Sequence, residues 1–304
     1  MIYALFPAIG ERVRALFTET WGATVGVQQS LFGPEPSAAV TKPMGDHLHR
    51  LKALILVKAA PNPSHTHGET VCVAGIRTDL QAAGWLRLYP VNVRALDDPN
   101  AFRKYDVIEF DARPARNDPR CESWRPVLTT IRTVGRLKSW RQRAAWIDEH
   151  VGDSMCDLLD AVRDHPPARS LAAIRPREID GITIDAHPGW TPEEQAKITN
   201  YVAQLGLFGD TSRRALEAPR FKAWYRYRCG SRRCRGHRQG LIDWEFVAHQ
   251  RRLSGWDDAS AKAELRSRWL DGMCGDDKDT VFYVGNQAKR QHVFSVLGLF
   301  YPSR

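Results

Sequence analysis

LKALILVKAAPNPSHTHGETVCVAGIR, residues 51–77, decides the fold reading. Its two ends, Leu51–Lys58 and Glu69–Arg77, are rich in aliphatic and β-branched residues and are bounded by Pro, Asn and Gly, as strands are. Between them one loop holds two prolines and two histidines, His65 and His67. Three more runs of the same texture follow at Trp85–Val93, Tyr105–Ala112 and Trp124–Val134. Five strands within about ninety residues, mostly without helical pattern between them, imply an antiparallel sheet curled into a small barrel, a scaffold that often presents a groove to nucleic acid.

Upstream, Val13, Leu16 and Phe17 are spaced for one helical face, after which Gly33-Pro34-Glu35-Pro36 and Lys42-Pro43 break any regular pattern. Residues 1–50 therefore read as an N-terminal extension, partly disordered, and 51–138 as a β-barrel-like domain. From Ser139 the period changes. Ser139–Asp164 has helical spacing interrupted at Gly152 and stopped by Pro166-Pro167. Glu178–Asp185 reads as a strand, and Thr191-Pro192-Glu193-Glu194 opens a helix: Thr191 caps it, Pro192 suits the first turn and Glu194 completes a capping box. Phe221–Cys229 and Gly240–Val247 read as a hairpin, Ala259–Leu270 as a helix, and Thr280–Gly285 with Val293–Phe300 as a closing pair of strands. The fold class is α+β: an antiparallel β-barrel-like region, then a helical region over 139–304 with a zinc-clipped β-hairpin.

The chain carries 44 Lys+Arg against 35 Asp+Glu, a net charge of +9. The excess is local, because Arg220–Arg238 holds eight cations and no carboxylate. A localised positive field selects polyanions, so the expected partner is DNA, either double-stranded with a flipped base or single-stranded, with RNA as the other polyanion. No apolar run approaches the roughly twenty residues needed to cross a bilayer, and no signal segment opens the sequence, so the expectation is a cytoplasmic protein without a membrane partner. Trp224, Tyr225 and Tyr227 alternate with Arg226 and Arg228, a pairing in which rings stack bases and guanidiniums bind phosphates. Arg232, Arg233 and Arg235 extend that field through the turn, and Arg120 offers a further phosphate contact. The plainer alternative is an aromatic core face backed by a solvated one.

Within the same stretch, Cys229-x4-Cys234-x2-His237 supplies three ligands of a structural Zn2+ site, with His249 as the nearest fourth ligand and Cys274 the next. The scattered cysteines do not suit a disulfide framework. Catalytic candidates are the carboxylates Asp118 and Glu122 in the loop Arg116–Ser123, with Glu69 facing the same end of the barrel. An ordinary salt-bridged turn is the alternative. Asp243 and Glu245 fall on one face of the hairpin's second strand, where they neutralise neighbouring arginines. Phosphate-loop, dinucleotide-binding, nucleophile-elbow and zinc-protease motifs are absent.

Five segments together resemble a largely uncharacterised bacterial family: Gly84–Val91 (GWLRLYPV), Asp118–Ser123 (DPRCES), Cys234–His237 (CRGH), Ile242–Glu245 (IDWE) and Gly298–Pro302 (GLFYP). The resemblance covers about residues 51–302 and is loosely associated with phage-defence DNA glycosylases that remove a modified cytosine. It implies a hydrolase acting on foreign DNA by base excision. The chain has neither a helix-hairpin-helix glycine motif nor uracil-glycosylase motifs. A nuclease, or a non-catalytic module that senses modified DNA, are the competing readings.

Overall fold

The computed structural model describes residues 42–64, 68–80, 84–92, 102–152, 154–164, 168–206 and 215–304. The helix expected within 11–21 and the loop histidines His65 and His67 lie outside these residues.

Seven strands come first: β1 (His49–Lys58), β2 (Asn62–Ser64), β3 (Gly68–Arg77), β4 (Trp85–Asn92), β5 (Asp106–Pro114), β6 (Ser123–Pro126) and β7 (Arg132–Arg136). Five of them close a barrel in the order β1-β3-β4-β6-β5, with β5 pairing back onto β1. Every barrel contact is antiparallel except β4 with β6, which is parallel. Counted along the chain, the barrel strands follow the ring order one-two-three-five-four with the third and fifth parallel, the connectivity of an OB-fold. The run expected at 124–134 divides because a 3-10 turn at Leu128–Thr130 separates β6 from β7, and both halves lie along β5.

β1 is buried almost continuously from Ala53 onward. Ala53 and Ile55 turn into the barrel core beside Val73, Leu88 and Phe110, whereas Leu54 and Leu56 turn outward onto a second sheet. Burial on both faces explains why Leu54-Ile55-Leu56-Val57 is uninterruptedly apolar instead of alternating.

The second sheet contains β8 (Leu171–Ile174), β9 (Glu178–Ala186), β10 (Phe221–Arg228), β11 (His237–Leu241), β12 (Val281–Gln287) and β13 (Arg290–Phe300), in the order β8-β12-β13-β11-β10-β9. Its helices are α1 (Trp140–Ile147), α2 (Met155–Asp164), α3 (Pro192–Gly206), α4 (Trp244–Arg252) and α5 (Asp258–Arg266), the last running on through a π-helical turn at Ser267–Asp271. The capping box at Thr191 and Glu194 forms as the sequence predicts. The helical stretch expected over 139–164 with an interruption at Gly152 is two helices, and the break begins earlier, with a 3-10 turn at Asp148–His150 and a bridge from Val151 to Ala173.

A larger correction concerns Gly240–Val247. Its strand stops at Leu241, and Asp243 caps α4 by accepting the Glu245 backbone N–H at 2.8 Å. Asp243 and Glu245 therefore do not share a strand face. They hold Lys104 between them instead, at 3.1 Å each.

One face of the second sheet packs Tyr225, Phe282 and Val296 against Leu158, Phe246, Leu265 and Trp269 of the helices. On the opposite face, Leu171, Tyr283 and Leu297 of β8, β12 and β13 meet Leu54, Leu56 and Ile76 of the barrel. β9, β10 and β11 extend past that contact, and Arg226, Arg228 and Arg238 on their barrel-side face are exposed. Among the described residues no helix is long and apolar enough to cross a membrane.

Candidate metal centre and nucleic-acid interface

Cys229 follows β10, Cys234 sits in the turn, His237 opens β11, and α2 delivers Cys156 to the same point. Their donor atoms all lie within 4.8 Å of one another. Cys229 Sγ stands 3.6 Å from Cys156 Sγ, and His237 Nε2 stands 3.2, 3.4 and 3.6 Å from Cys234, Cys229 and Cys156. A tetrahedron with metal–sulfur bonds of about 2.3 Å and metal–nitrogen bonds of about 2.0 Å has edges of roughly 3.5–3.8 Å, so these spacings fit a single ion. The thiols are free and too far apart for disulfides. Burial works against ionising Cys229, but the backbone N–H groups of Cys156 and Ser231, the His237 ring and the Cys234 thiol outweigh it and bring its pKa down to about 6. Burial, followed by the neighbouring Cys229 and Cys234, pushes Cys156 up to about 12. The charge therefore forms first on the thiol held by the most donors.

The expected fourth ligand, His249, is corrected. It lies on α4 with Nδ1 accepting from Trp269 Nε1 at 3.2 Å and Nε2 3.8 Å from Glu264, because the chain turns into a helix where a continuing strand was expected. Cys274, the next candidate, donates to the Trp269 carbonyl. Cys156 is 73 residues from Cys229, so no local spacing marks it; the available signal was a cysteine in the first turn of an amphipathic helix. Arg233 bridges to Asp157 and Asp160 on α2, joining the turn to the helix that supplies Cys156.

β10 alternates as its sequence predicts, but the two faces do different work. Tyr225 and Tyr227 are wholly buried, with the first hydroxyl donating to the Trp269 carbonyl and the second to Gln239 Oε1. Neither ring can stack a base, which corrects the expectation for both. The other face presents Trp224, Arg226 and Arg228. Arg238 lies opposite Arg226 in register and places its guanidinium 4.3 Å from the centre of the Trp224 ring. Sequence reasoning missed Arg238 as a site residue, although cross-strand register would have placed it beside Arg226. Gly240 faces Trp224 on β11 and Gly181 faces Arg226 on β9, so each has one side without a neighbouring side chain, while Thr183 and Arg238 stand on the other sides. Acids lie at the edges: Glu178 is 3.9 Å from Arg228, and Asp185 is in register with Lys222. Arg232 and Arg235 are exposed in the turn without an ion-pair partner among the described residues, whereas Arg233 is already paired to α2.

Residues 151–304, just over half of the chain, match a family model described as Domain of unknown function (DUF8757). The chain belongs to the DUF8757 family. Residues 49–149 match a second, Domain of unknown function (DUF8758). No curated protein matches the sequence. The DUF8757 part thus carries the Cys/His centre and the open cationic face, and the DUF8758 part carries the barrel.

The loop expected to be catalytic is where the two parts join. Arg120 pairs with Asp118, Nη2 to Oδ2 at 2.6 Å, and its Nη1 donates across to the Asn286 carbonyl of the DUF8757 sheet at 2.8 Å. Burial opposes the charge on Asp118, yet the Arg120 guanidinium holds its pKa below the ordinary carboxylate value. Glu122, 7% exposed, accepts from the Ser170 backbone N–H at 2.8 Å and its hydroxyl at 3.0 Å, while Arg87 donates to the Ser170 carbonyl. Asp118, Arg120 and Glu122 are therefore engaged in fastening the barrel to β8 and β12. Glu69 pairs opposite Pro63 in β3, and its side chain is outside the described residues. Glu122→Ala should destabilise the fold by about 2–4 kcal/mol by leaving buried donors unpaired, whereas Glu122→Gln keeps an acceptor and should cost roughly half as much. Urea unfolding of both variants at pH 7 measures the difference.

Proposed function

We propose that this is a cytoplasmic DNA-binding protein whose interface is the open face of β10 and β11, with a zinc ion holding the basic turn in place. The observation that carries the reading is the row of half-buried Trp224 and exposed Arg226 and Arg228, with Arg238 stacked on the tryptophan. A cation over an indole, with a glycine on one side and further guanidiniums beside it, suits a strand of unpaired nucleic acid: the part of the ring left open stacks a base and the arginines hold phosphates. Zinc is the ion of choice because three thiolates and one imidazole at tetrahedral spacing form a closed structural set. Such a clip offsets the mutual repulsion of Arg232, Arg233 and Arg235.

Recognition is proposed in preference to base excision. Two of the three carboxylates that the chemistry would draw on, Asp118 and Glu122, have their oxygens taken by Arg120 and Ser170, and the side chain of the third, Glu69, is outside the described residues. Strands two and three of an OB barrel and their neighbouring loops, the usual ligand face of that fold, here include Arg87 and the Asp118–Glu122 loop, which contact the second sheet. Binding thereby shifts from the barrel to the sheet.

Fluorescence anisotropy with single-stranded DNA across a salt series tests this. Affinity should fall steeply with salt, and Arg226→Ala, Arg228→Ala and Arg235→Ala combined should make the log–log slope less negative by about 2. Trp224→Ala should weaken binding by about 1–3 kcal/mol and leave the slope unchanged. Equal affinity of the triple variant and the parent would overturn the proposal, and a preference for RNA would replace DNA as the partner. Incubation with ordinary and glucosylated phage DNA followed by alkali reads the chemistry: strand breaks appearing only after alkali would restore base excision.

A further inference from the structure

A cavity of about 330 Å3 opens where the parallel strands β11 and β13 end, between α1 and the loop that enters β5. Four cations reach it, Arg103, Lys104, Arg136 and Arg143, together with Trp140 and Tyr301. A second cavity of about 550 Å3, carrying Arg252 and Arg268, meets it at Glu245 and Tyr301. This place also gathers two of the sequence motifs with which the open face of β10 is unconnected, Ile242–Glu245 and Gly298–Pro302. Gly298 belongs to the construction: a Cβ there would stand 3.2 Å from Asp243 Oδ2 and 3.3 Å from Lys104 Nζ.

The charges divide into two sets. Arg136 is held by Asp106, and Lys104 by Asp243 and Glu245. Arg103 is exposed and has no carboxylate partner among the described residues. Arg143 donates to the Leu137 and Lys138 carbonyls at 3.0 and 3.1 Å, which leaves its charge uncancelled and three of its five N–H donors free. Its guanidinium lies 4.1 Å from the Tyr105 ring centre and 4.9 Å from that of Trp140. Trp140 is steadied by Phe300 and Tyr301 at 5.5 and 5.0 Å and remains 37% exposed.

We propose that this cavity binds a nucleoside monophosphate, free or as the phosphorylated end of a strand. Trp140 and Tyr301 supply surface for the base, and the two uncancelled guanidiniums of Arg103 and Arg143 take the phosphate, each able to donate two N–H groups to a phosphate. Inorganic phosphate alone would leave the rings unused. A triphosphate would bring more negative charge than two free cations offset, with the Glu245 carboxylate standing beside it. The volume falls within the roughly 300–1,000 Å3 of small-ligand sites. This site is independent of the open face of β10.

Quenching of tryptophan fluorescence, checked by calorimetry, tests the proposal with AMP, CMP, adenosine, ATP and inorganic phosphate. AMP or CMP should bind at least tenfold tighter than adenosine, phosphate or ATP. Arg103→Ala, an exposed position that leaves the melting temperature unchanged, should weaken the monophosphate at least fivefold, and Trp140→Phe should remove most of the quench. Oligonucleotides with a 5′-phosphate or a 5′-hydroxyl, added to protein carrying Arg226→Ala and Arg228→Ala, separate the two sources. Displacement of AMP only by the phosphorylated oligonucleotide assigns the cavity to a strand end, and no displacement assigns it to the free nucleotide. No monophosphate binding below 1 mM, or unchanged binding by Arg103→Ala, would overturn the proposal.

Discussion

On the zinc reading proposed above, Cys156→Ser will leave the purified protein without its metal and unfold the second sheet's basic edge. A structural zinc site contributes on the order of 10 kcal/mol of apparent binding free energy that is coupled to folding, so losing one of four ligands removes a large part of it. The expected readings are less than a tenth of an equivalent of zinc by elemental analysis and a melting temperature lower by more than about 10 °C. His249→Ala serves as the control, because His249 bonds to Trp269 and stands outside the Cys/His centre. It should keep its metal. Zinc retained at full stoichiometry in Cys156→Ser would refute the four-ligand centre, and zinc lost from His249→Ala would restore the ligand set that the hairpin alone suggested.

The second large effect lies at Lys104. Asp243 is 1% exposed, and burial raises its pKa to about 6, above the roughly 3.9 of an unfolded aspartate. Burial works to lower the pKa of Lys104, but Asp243 and Glu245 overcome it and raise the value instead. Lys104→Ala leaves a buried carboxylate without its partner and should cost about 3–5 kcal/mol at pH 8. The sign of its pH dependence follows. A carboxyl whose folded pKa is raised binds its proton more tightly in the native state, so its contribution to stability declines as pH climbs from about 4 through about 6. Without Lys104 that pKa moves higher still, and Asp243 escapes the penalty by staying protonated. The destabilisation should therefore shrink from pH 8 to pH 5, which urea titrations at three pH values would show. A loss independent of pH would mean that Lys104 contributes only packing.

How far the residues themselves foretell this molecule depends on the range of the interaction. The barrel strands were legible because each is a short run rich in aliphatic and β-branched residues with its own breakers, and β10 was legible because Tyr225 and Tyr227 alternate with charged neighbours. Which face of β10 is core was not, since aromatic rings suit either a core or a stacking surface until the helices are placed over one side. At Ile242-Asp243-Trp244-Glu245 an alternating pattern imitated a strand while Asp243 supplied an N-cap, and the cap signal was the one to follow. Cys156 and Ser170 were invisible for a different reason. Each acts on a partner far along the chain, Cys229 and Glu122 respectively, and no spacing rule reaches that distance.

α4 sends Trp244 and Val247 into the same core as Ile55, Leu88, Phe110 and Trp124 of the barrel. During synthesis that arrangement imposes a delay. All five barrel strands have left the ribosome by Pro126, but the side chains that complete their interior come on the order of a hundred residues later. At about 5–20 residues per second the nascent barrel waits roughly 5–20 s with apolar surface uncovered. Its last contacts are of high sequence separation, which slows the folding step itself. A barrel fragment released at residue 149 should therefore be a chaperone client, while the full chain, once Val247 emerges, can close its own core.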